Sequence, residues 1–237
     1  STASPSPTVV LGSQNSAENV SGVLSADSTA ASRVYAENVE SCVGIETDKT
    51  TNVFGQEVQS AITGSGFIVS SDGYIATNYH VVQTAMEENL PVKVMLHEAS
   101  EYTAKIIGGE EDNDIAVLKI DATGLKAVSF GDSDALSVGE AVYAVGNPLG
   151  ELTYTMTGGM VSALDRVITT EVSSSINVFQ IDAAINSGNS GGPVFNAKGE
   201  VVGVATAKAQ ESGVEGLGFA IPINDALHVI QELIEHG

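Results

Sequence analysis

Tryptophan is absent from the 237 residues, and cysteine occurs once, as Cys42. One cysteine excludes an internal disulfide framework, so the fold must rest on its own core, although export is not excluded. Cys42 sits in an apolar run with Val39, Val43 and Ile45, where a buried packing role is expected. Basic residues are scarce: Lys and Arg total 9 against 30 Asp and Glu, a formal charge of −21. That surface repels phosphate backbones and anionic lipid, and no basic cluster offsets it, so nucleic acid is not an expected partner. No apolar stretch approaches the roughly 20 residues that span a bilayer.

Metal and phosphate motifs are missing as well. His97-Glu98 has no second histidine four positions on, and no Cys/His cluster exists. Gly64-Ser65-Gly66 is not continued by a phosphate-loop lysine, and Glu110–Asp114 lacks the Asp-x-Asp-x-Asp-Gly spacing of a calcium loop. No metal is therefore expected.

What is present is a chain with 43% hydrophobic residues, enough for one large domain or two small lobes. Residues 1–34 are rich in Ser, Thr, Ala and Asn, carry Pro5 and Pro7, and show no apolar period. They read as a flexible linker. The chain begins at Ser1 without a signal-peptide pattern, and an export signal or anchor upstream is the expectation. From about residue 36 to 222, short β-type runs alternate with Gly, Asn and Asp. Examples are Ser65–Ser70, Tyr74–Thr77, Val92–Leu96, Ala104–Ile107, Ala116–Ile120, Ala141–Val145, Asn177–Ile181 and Val201–Ala205. Runs at this spacing, without intervening long helices, indicate an all-β sandwich or barrel pair. Residues 224–236 differ: Leu227, Ile230, Leu233 and Ile234 share one helical face, with Asn224 as the expected N-cap.

The chemistry concentrates in three stretches. Gly188-Asn189-Ser190-Gly191-Gly192-Pro193 flanks a serine with glycines ahead of the β-type run Val201–Ala205. Such a loop exposes the serine oxygen and gathers amide hydrogens at one point, as a nucleophile with an oxyanion hole requires. The oxyanion donors are expected from this Gly188-Asn189-Ser190 turn, chiefly the amides of Gly188 and Ser190. Serine is a poor nucleophile unaided, and an imidazole held by a carboxylate is the usual activator. Of the four histidines, His80 alone joins a β-run to an apolar Val81-Val82 turn. Asp114 closes the acidic loop Glu110-Glu111-Asp112-Asn113 directly before the apolar run Ile115–Leu118, with Asp112 as the fallback. The chain order His, Asp, Ser is that of the chymotrypsin-type double barrel; subtilisins run Asp, His, Ser and α/β-hydrolases Ser, Asp, His.

Six longer stretches carry a resemblance: TGSGFIVSSDGYIATNYHVV (63–82), DNDIAVLKI (112–120), FGDSDALSVGEAVYAVGNPLG (130–150), TGGMVSAL (157–164), QIDAAINSGNSGGPVFNAKGEVVGVATA (180–207) and GLGFAIPIN (216–224). Over residues 38–235 the chain resembles the protease domain of HtrA/DegP-like serine endopeptidases. The resemblance implies two six-stranded antiparallel β-barrels, about 35–128 and 129–223, closed by the helix 224–236. It places His80, Asp114 and Ser190 at the triad positions and Gly188 with Ser190 at the oxyanion hole. It further implies export (secreted, cell-surface or periplasmic, in a bacterium), degradation of unfolded or misfolded proteins, trimer-based assembly and no cofactor. Tyr79 and Ser187 stand where the family commonly has Asn and Pro, and no peptide-binding PDZ domain follows within these residues.

By the same resemblance, the residue six before the nucleophile, Ala184, lines the primary specificity pocket. With Ile185 and the run Val204-Ala205-Thr206-Ala207 it implies a small apolar pocket taking Val, Ala, Ile or Leu. Substrate backbone is expected to pair with an exposed edge over Val204–Ala207. Asn189 stands where trypsin-like zymogens have a carboxylate, so ordering of the loops 146–160, 183–189 and 207–217 is expected to serve as the switch. Two alternatives remain at this stage: a protease specific for acidic side chains, as the glutamyl endopeptidases are, and a non-catalytic peptide-binding chaperone on the same scaffold.

Overall fold

Strand β6 (Ile115–Lys119) shows why this sequence builds two barrels rather than one. Its apolar residues run without a break, so both faces need cover. Ala116 and Leu118 turn into a first core with Val43, Ile45, Ile68, Ile75 and Val94. Ile115 and Val117 turn into a second, shared core with Phe67, Phe195, Val201 and Val204. A third core, including Val142, Phe179, Ile181, Val194 and Ala220, fills the other barrel. The computed structural model describes residues 30–147, 154–169, 175–207 and 217–237.

The first barrel closes in the order β1 (Cys42–Val53), β2 (Gln56–Ile68), β3 (Tyr74–Thr77), β6, β5 (Glu101–Glu110), β4 (Val92–Met95), with β4 returning to β1 through Ile45↔Val94. The second ring runs β11 (Pro193–Asn196), β8 (Ala141–Gly146), β9 (Thr155–Ile168), β10 (Ile176–Ile181), β13 (Gly218–Pro222), β12 (Glu200–Thr206), and closes by β11–β12 pairing. These are the two six-stranded antiparallel barrels the sequence led us to expect. One strand lies outside that scheme: β7 (Ser129–Phe130) pairs in parallel with β12.

Several expected strands grow in the structure, and β1, β9, β11 and β13 were not expected as runs. The β1–β2 hairpin turns at Phe54 (φ 52°) and Gly55 (φ 83°), the left-handed pair of a two-residue hairpin turn. Its outer half is exposed on both strands, so it lacks the apolar alternation that identifies a strand from sequence.

The helices bring three corrections. Residues 30–38 form α1, which overlaps the last residues of the expected linker; Val34 is buried in the shared core, and the alanines read as coil are good helix formers. Residues 1–29 lie outside the described residues. Val81-Val82 is not a turn but part of α2 (Tyr79–Glu88), whose Val81, Val82 and Ala85 face inward. Asn89 (φ 54°) stops it in the left-handed conformation, two residues before Pro91. The last helix, α3 (Ile223–His236), has Pro222 rather than Asn224 in its N-cap position. The Asn224 carboxamide instead ties the helix to the second barrel: its Nδ2 donates to Asp132 Oδ1 (2.8 Å), and its backbone N–H donates to Ser133 Oγ (3.1 Å). The buried stripe is Ile223, Ala226 and Ile230, with Leu227, Leu233 and Ile234 packed at its margin. Among the described residues no helix is long and apolar enough to cross a membrane.

Cys42 is fully buried, as its apolar neighbours predict, and burial pushes its thiol far above the ordinary range. Native protein should therefore leave Cys42 unmodified by a thiol-reactive disulfide reagent, with one equivalent reacting on denaturation. Stoichiometric labelling of native protein at neutral pH would contradict this packing.

Candidate active site

The β3–β6 register Thr77↔Ala116 sets the end of β3 beside the start of β6. His80, one residue into α2, and Asp114, immediately before β6, consequently meet at one rim of the first barrel. Asp114 adopts φ 54°, a left-handed conformation that aspartate tolerates better than most residues. Its buried carboxylate accepts three bonds: Oδ1 from the His80 backbone N–H (2.9 Å), Oδ2 from the ring Nδ1 (2.7 Å), and Oδ2 again from Thr206 Oγ1 (3.2 Å). An N–H on Nδ1 leaves Nε2 as the ring's acceptor. Nε2 lies 3.1 Å from Ser190 Oγ. His80, Asp114 and Ser190 are thus brought together from three separate parts of the chain.

Ser190 arrives from the second barrel. Its carbonyl accepts the Ser65 N–H (2.9 Å), and Gly191 N–H donates to Ala205 (2.8 Å). Gly191 has φ +86°, and a Cβ there would lie 2.4 Å from Ser65 O and Thr77 Oγ1, so glycine is required at this crossing. The loop before Ser190 closes on itself. Asn186 Oδ1 accepts the Gly188 N–H (2.8 Å), and Asn186 O accepts from the N–H of Asn189 (3.2 Å) and of Ser190 (3.0 Å). In return, Asn189 Oδ1 accepts the Asn186 N–H (2.9 Å), and its Nδ2 donates to Ala184 O (2.9 Å). The three amides expected at an oxyanion hole are therefore occupied from within the loop in this conformation. Ser65 Oγ supports the same loop by donating to Gly188 O (2.7 Å) while accepting the Asn147 N–H (2.9 Å).

The expected pocket residues divide. Ala184 is exposed and Ala207 half-buried, but Ile185, Val204, Ala205 and Thr206 are buried. The expected open edge over Val204–Ala207 is not open along its length. Val204 pairs with Pro193 on one side and Ile221 on the other, and Ala205 is held by Gly191, Gly192 and Ala220. Thr206 pairs with Phe219 and turns its hydroxyl to Asp114, so its side chain supports the carboxylate instead of lining a pocket. Strand β12 is covered on one side by β11, through the short hairpin turn at 197–199, and on the other by β13. Residues 148–153 and 208–216 of the expected ordering loops lie outside the described residues.

Sequence reasoning passed over Asn78 and Asn186. Asn186 had a signal, an asparagine four residues before the serine, whereas Asn78 had none beyond its nearness to His80. Replacing Asp114 by Ala leaves the His80 amide, the His80 ring and the Thr206 hydroxyl without an acceptor. We expect unfolding free energy in urea to fall by about 3 kcal/mol, since hydrogen bonds to a charged group contribute about 1.5–3 kcal/mol each and partial solvation offsets part of the loss. A loss under about 0.5 kcal/mol would show the carboxylate is not the anchor drawn here.

Residues 64–204 match the trypsin-like peptidase domain family. Serine protease Do-like HtrA of Bacillus subtilis is 46% identical over 183 residues, covering 74% of this chain and 40% of that protein. The probable periplasmic serine endoprotease DegP-like of Hahella chejuensis is 49% identical over 176 residues, covering 74% and 36%. The chain thus spans about two fifths of the length of these curated relatives. Among solved structures, HtrA-type protease AlgW with decapeptide superposes with a TM-score of 0.75 at 33% identity, over 87% of this chain and 68% of that one. Deg5 superposes at 0.73 and 34% identity, over 89% of this chain and 97% of that one. The chain belongs to the trypsin-like peptidase domain family, in its HtrA/DegP-like branch.

Proposed function

We propose that this chain is a serine endopeptidase acting on unfolded or misfolded protein, with His80, Asp114 and Ser190 as its triad. The observation that carries the reading is the continuous contact Asp114–His80–Ser190, at 2.7 Å and 3.1 Å, across the seam of two barrels. In this mechanism Ser190 Oγ attacks the scissile carbonyl carbon while His80 Nε2 takes the hydroxyl proton. Asp114 keeps the other ring nitrogen protonated and stabilises the imidazolium. The same proton then passes to the leaving amine, and water hydrolyses the acyl-enzyme with His80 again as base.

Charge develops on the carbonyl oxygen, and each donor of an oxyanion hole typically lowers that barrier by about 3–4 kcal/mol. The amides of Gly188 and Ser190 can serve only after leaving Asn186, so the conformation described is a resting one. Opening it is the switch we assign to the 183–189 loop, with substrate or a second subunit as the trigger. Extended substrate is received where β12 ends, at Ala207 and beyond, since the strand itself is paired as far as Thr206. Ala184 offers no carboxylate for a basic side chain, which supports a preference for small aliphatic residues before the scissile bond. Within the same reading the protease domain occupies 35–237, its activity is extracytoplasmic, and a homotrimer is the working assembly.

The occupied amides are the one observation favouring the non-catalytic, peptide-binding alternative, and the same experiment separates the two. Wild-type protein should take up a labelled fluorophosphonate at Ser190, located by mass spectrometry, and should degrade denatured casein. Ser190→Ala should do neither while still binding the casein. Casein binding by wild type with no labelling and no turnover would establish the chaperone reading instead.

A peptide-library digest should show cleavage after Val, Ala, Ile or Leu. Dominant cutting after Arg or Lys would overturn the pocket assignment, and cutting after Glu would favour the glutamyl-endopeptidase alternative.

A further inference from the structure

Asparagine just before a helix ordinarily turns its side chain back to accept the first free amides of that helix. Asn78 precedes α2, yet its side chain makes no such bond. The duty has passed to Asp114, whose Oδ1 takes the His80 N–H. Asn78 is completely buried, and both ends of its carboxamide are spent on the site: Nδ2 donates to the Asp114 carbonyl (3.1 Å), and Oδ1 accepts the Ser190 hydroxyl (2.9 Å). Its orientation is decided by chemistry. The flipped amide would set two oxygens against each other at Asp114 O, so the oxygen must face Ser190.

We propose that Asn78 is a positioning residue for the nucleophile, a role that rests on the protease reading above. Ser190 has one hydroxyl hydrogen and two acceptors within reach, Asn78 Oδ1 at 2.9 Å and His80 Nε2 at 3.1 Å. The Ala207 N–H occupies another direction on the same oxygen, at 3.1 Å. Asn78 therefore holds Oγ beside the imidazole and carries its hydrogen at rest. A rotation about the Cβ–Oγ bond hands that hydrogen to Nε2 when a carbonyl displaces the resting contacts. Because Nδ2 is anchored on Asp114, the nucleophile and the carboxylate that orients its base are kept in register by a single side chain. No bond other than hydrogen bonds changes in this step.

Two measurements test this. Asn78→Ala should lower kcat on a peptide substrate about tenfold with KM within twofold, the size expected for one hydrogen bond that matters on the way to the transition state. A side chain that only packed would leave kcat unchanged. The second measurement does not need activity. In a cycle of wild type, Asn78→Ala, Ser190→Ala and the double variant, the unfolding equilibrium constants should depart from additivity by about tenfold, because either single change breaks the same bond. An additive cycle, or an unchanged kcat, would overturn the proposal. If Asn78→Ala does not fold, Ser190→Ala alone suffices: the Asn78 side-chain amide signals in a ¹⁵N-resolved spectrum should move, while those of Asn113 and Asn177 stay. Absence of movement overturns it equally. Should wild type fail to react with the fluorophosphonate, the protease reading falls, and the stability cycle still reports on the Asn78–Ser190 bond.

Discussion

A buried carboxylate with three donors on it is the constraint from which the rest follows. Asp114 cannot be withdrawn from water on one unpaired charge, so its surroundings must supply hydrogen bonds. Two come from His80, on the first barrel, and one comes from Thr206, on the second. The carboxylate thus orients a helix terminus, fixes an imidazole tautomer and joins the two barrels at one point. The left-handed backbone at Asp114 is the cost of turning that group inward at the tip of a hairpin.

Around this anchor the barrels meet by backbone contact as much as by side-chain packing. Ser65 N–H to Ser190 O, and the Gly191 backbone passing against Ser65 O and Thr77 Oγ1, press the serine turn onto the first barrel. The shared core of Phe67, Ile115, Val117, Phe195, Val204 and Ile221 keeps that contact in place. Rigidity at Ser190 contrasts with the self-satisfied loop ahead of it, where Asn186 and Asn189 exchange hydrogen bonds with each other's backbone. A loop that meets its own hydrogen-bond needs is stable without a ligand, yet its bonds are of the kind a developing oxyanion could replace.

Much of the fold and of the site was legible in the chain. The runs Tyr74–Thr77 and Ala141–Val145 read as strands because apolar residues there stand between turn formers. The serine turn read as such because few other arrangements need that many glycines around one hydroxyl. Less legible were elements whose residues speak against them. The outer β1–β2 hairpin is mostly polar on both strands, α2 carries two β-branched valines in its first turn, and α1 opens with Ala30-Ala31-Ser32, which resemble linker. The outer hairpin is held by pairing across its own turn, whereas α2 and α1 form through contacts the local sequence does not contain: the first core for Val81, Val82 and Ala85, and the shared core for Val34.

Composition and local pattern by themselves determined the all-β class, the burial of Cys42, the strongly acidic surface and the identity of His80, Asp114 and Ser190 as the groups to watch. These depend on residue type and on spacing within a few positions, which the chain carries directly. The tertiary structure alone decided that Asn78 serves Ser190 rather than its own helix, that Thr206 faces Asp114, that Asn186 holds the amides behind Ser190, and that β12 is paired along most of its length. Those outcomes are set by which distant groups compete for the same hydrogen-bond partner, and that competition exists only once the two barrels have closed against each other.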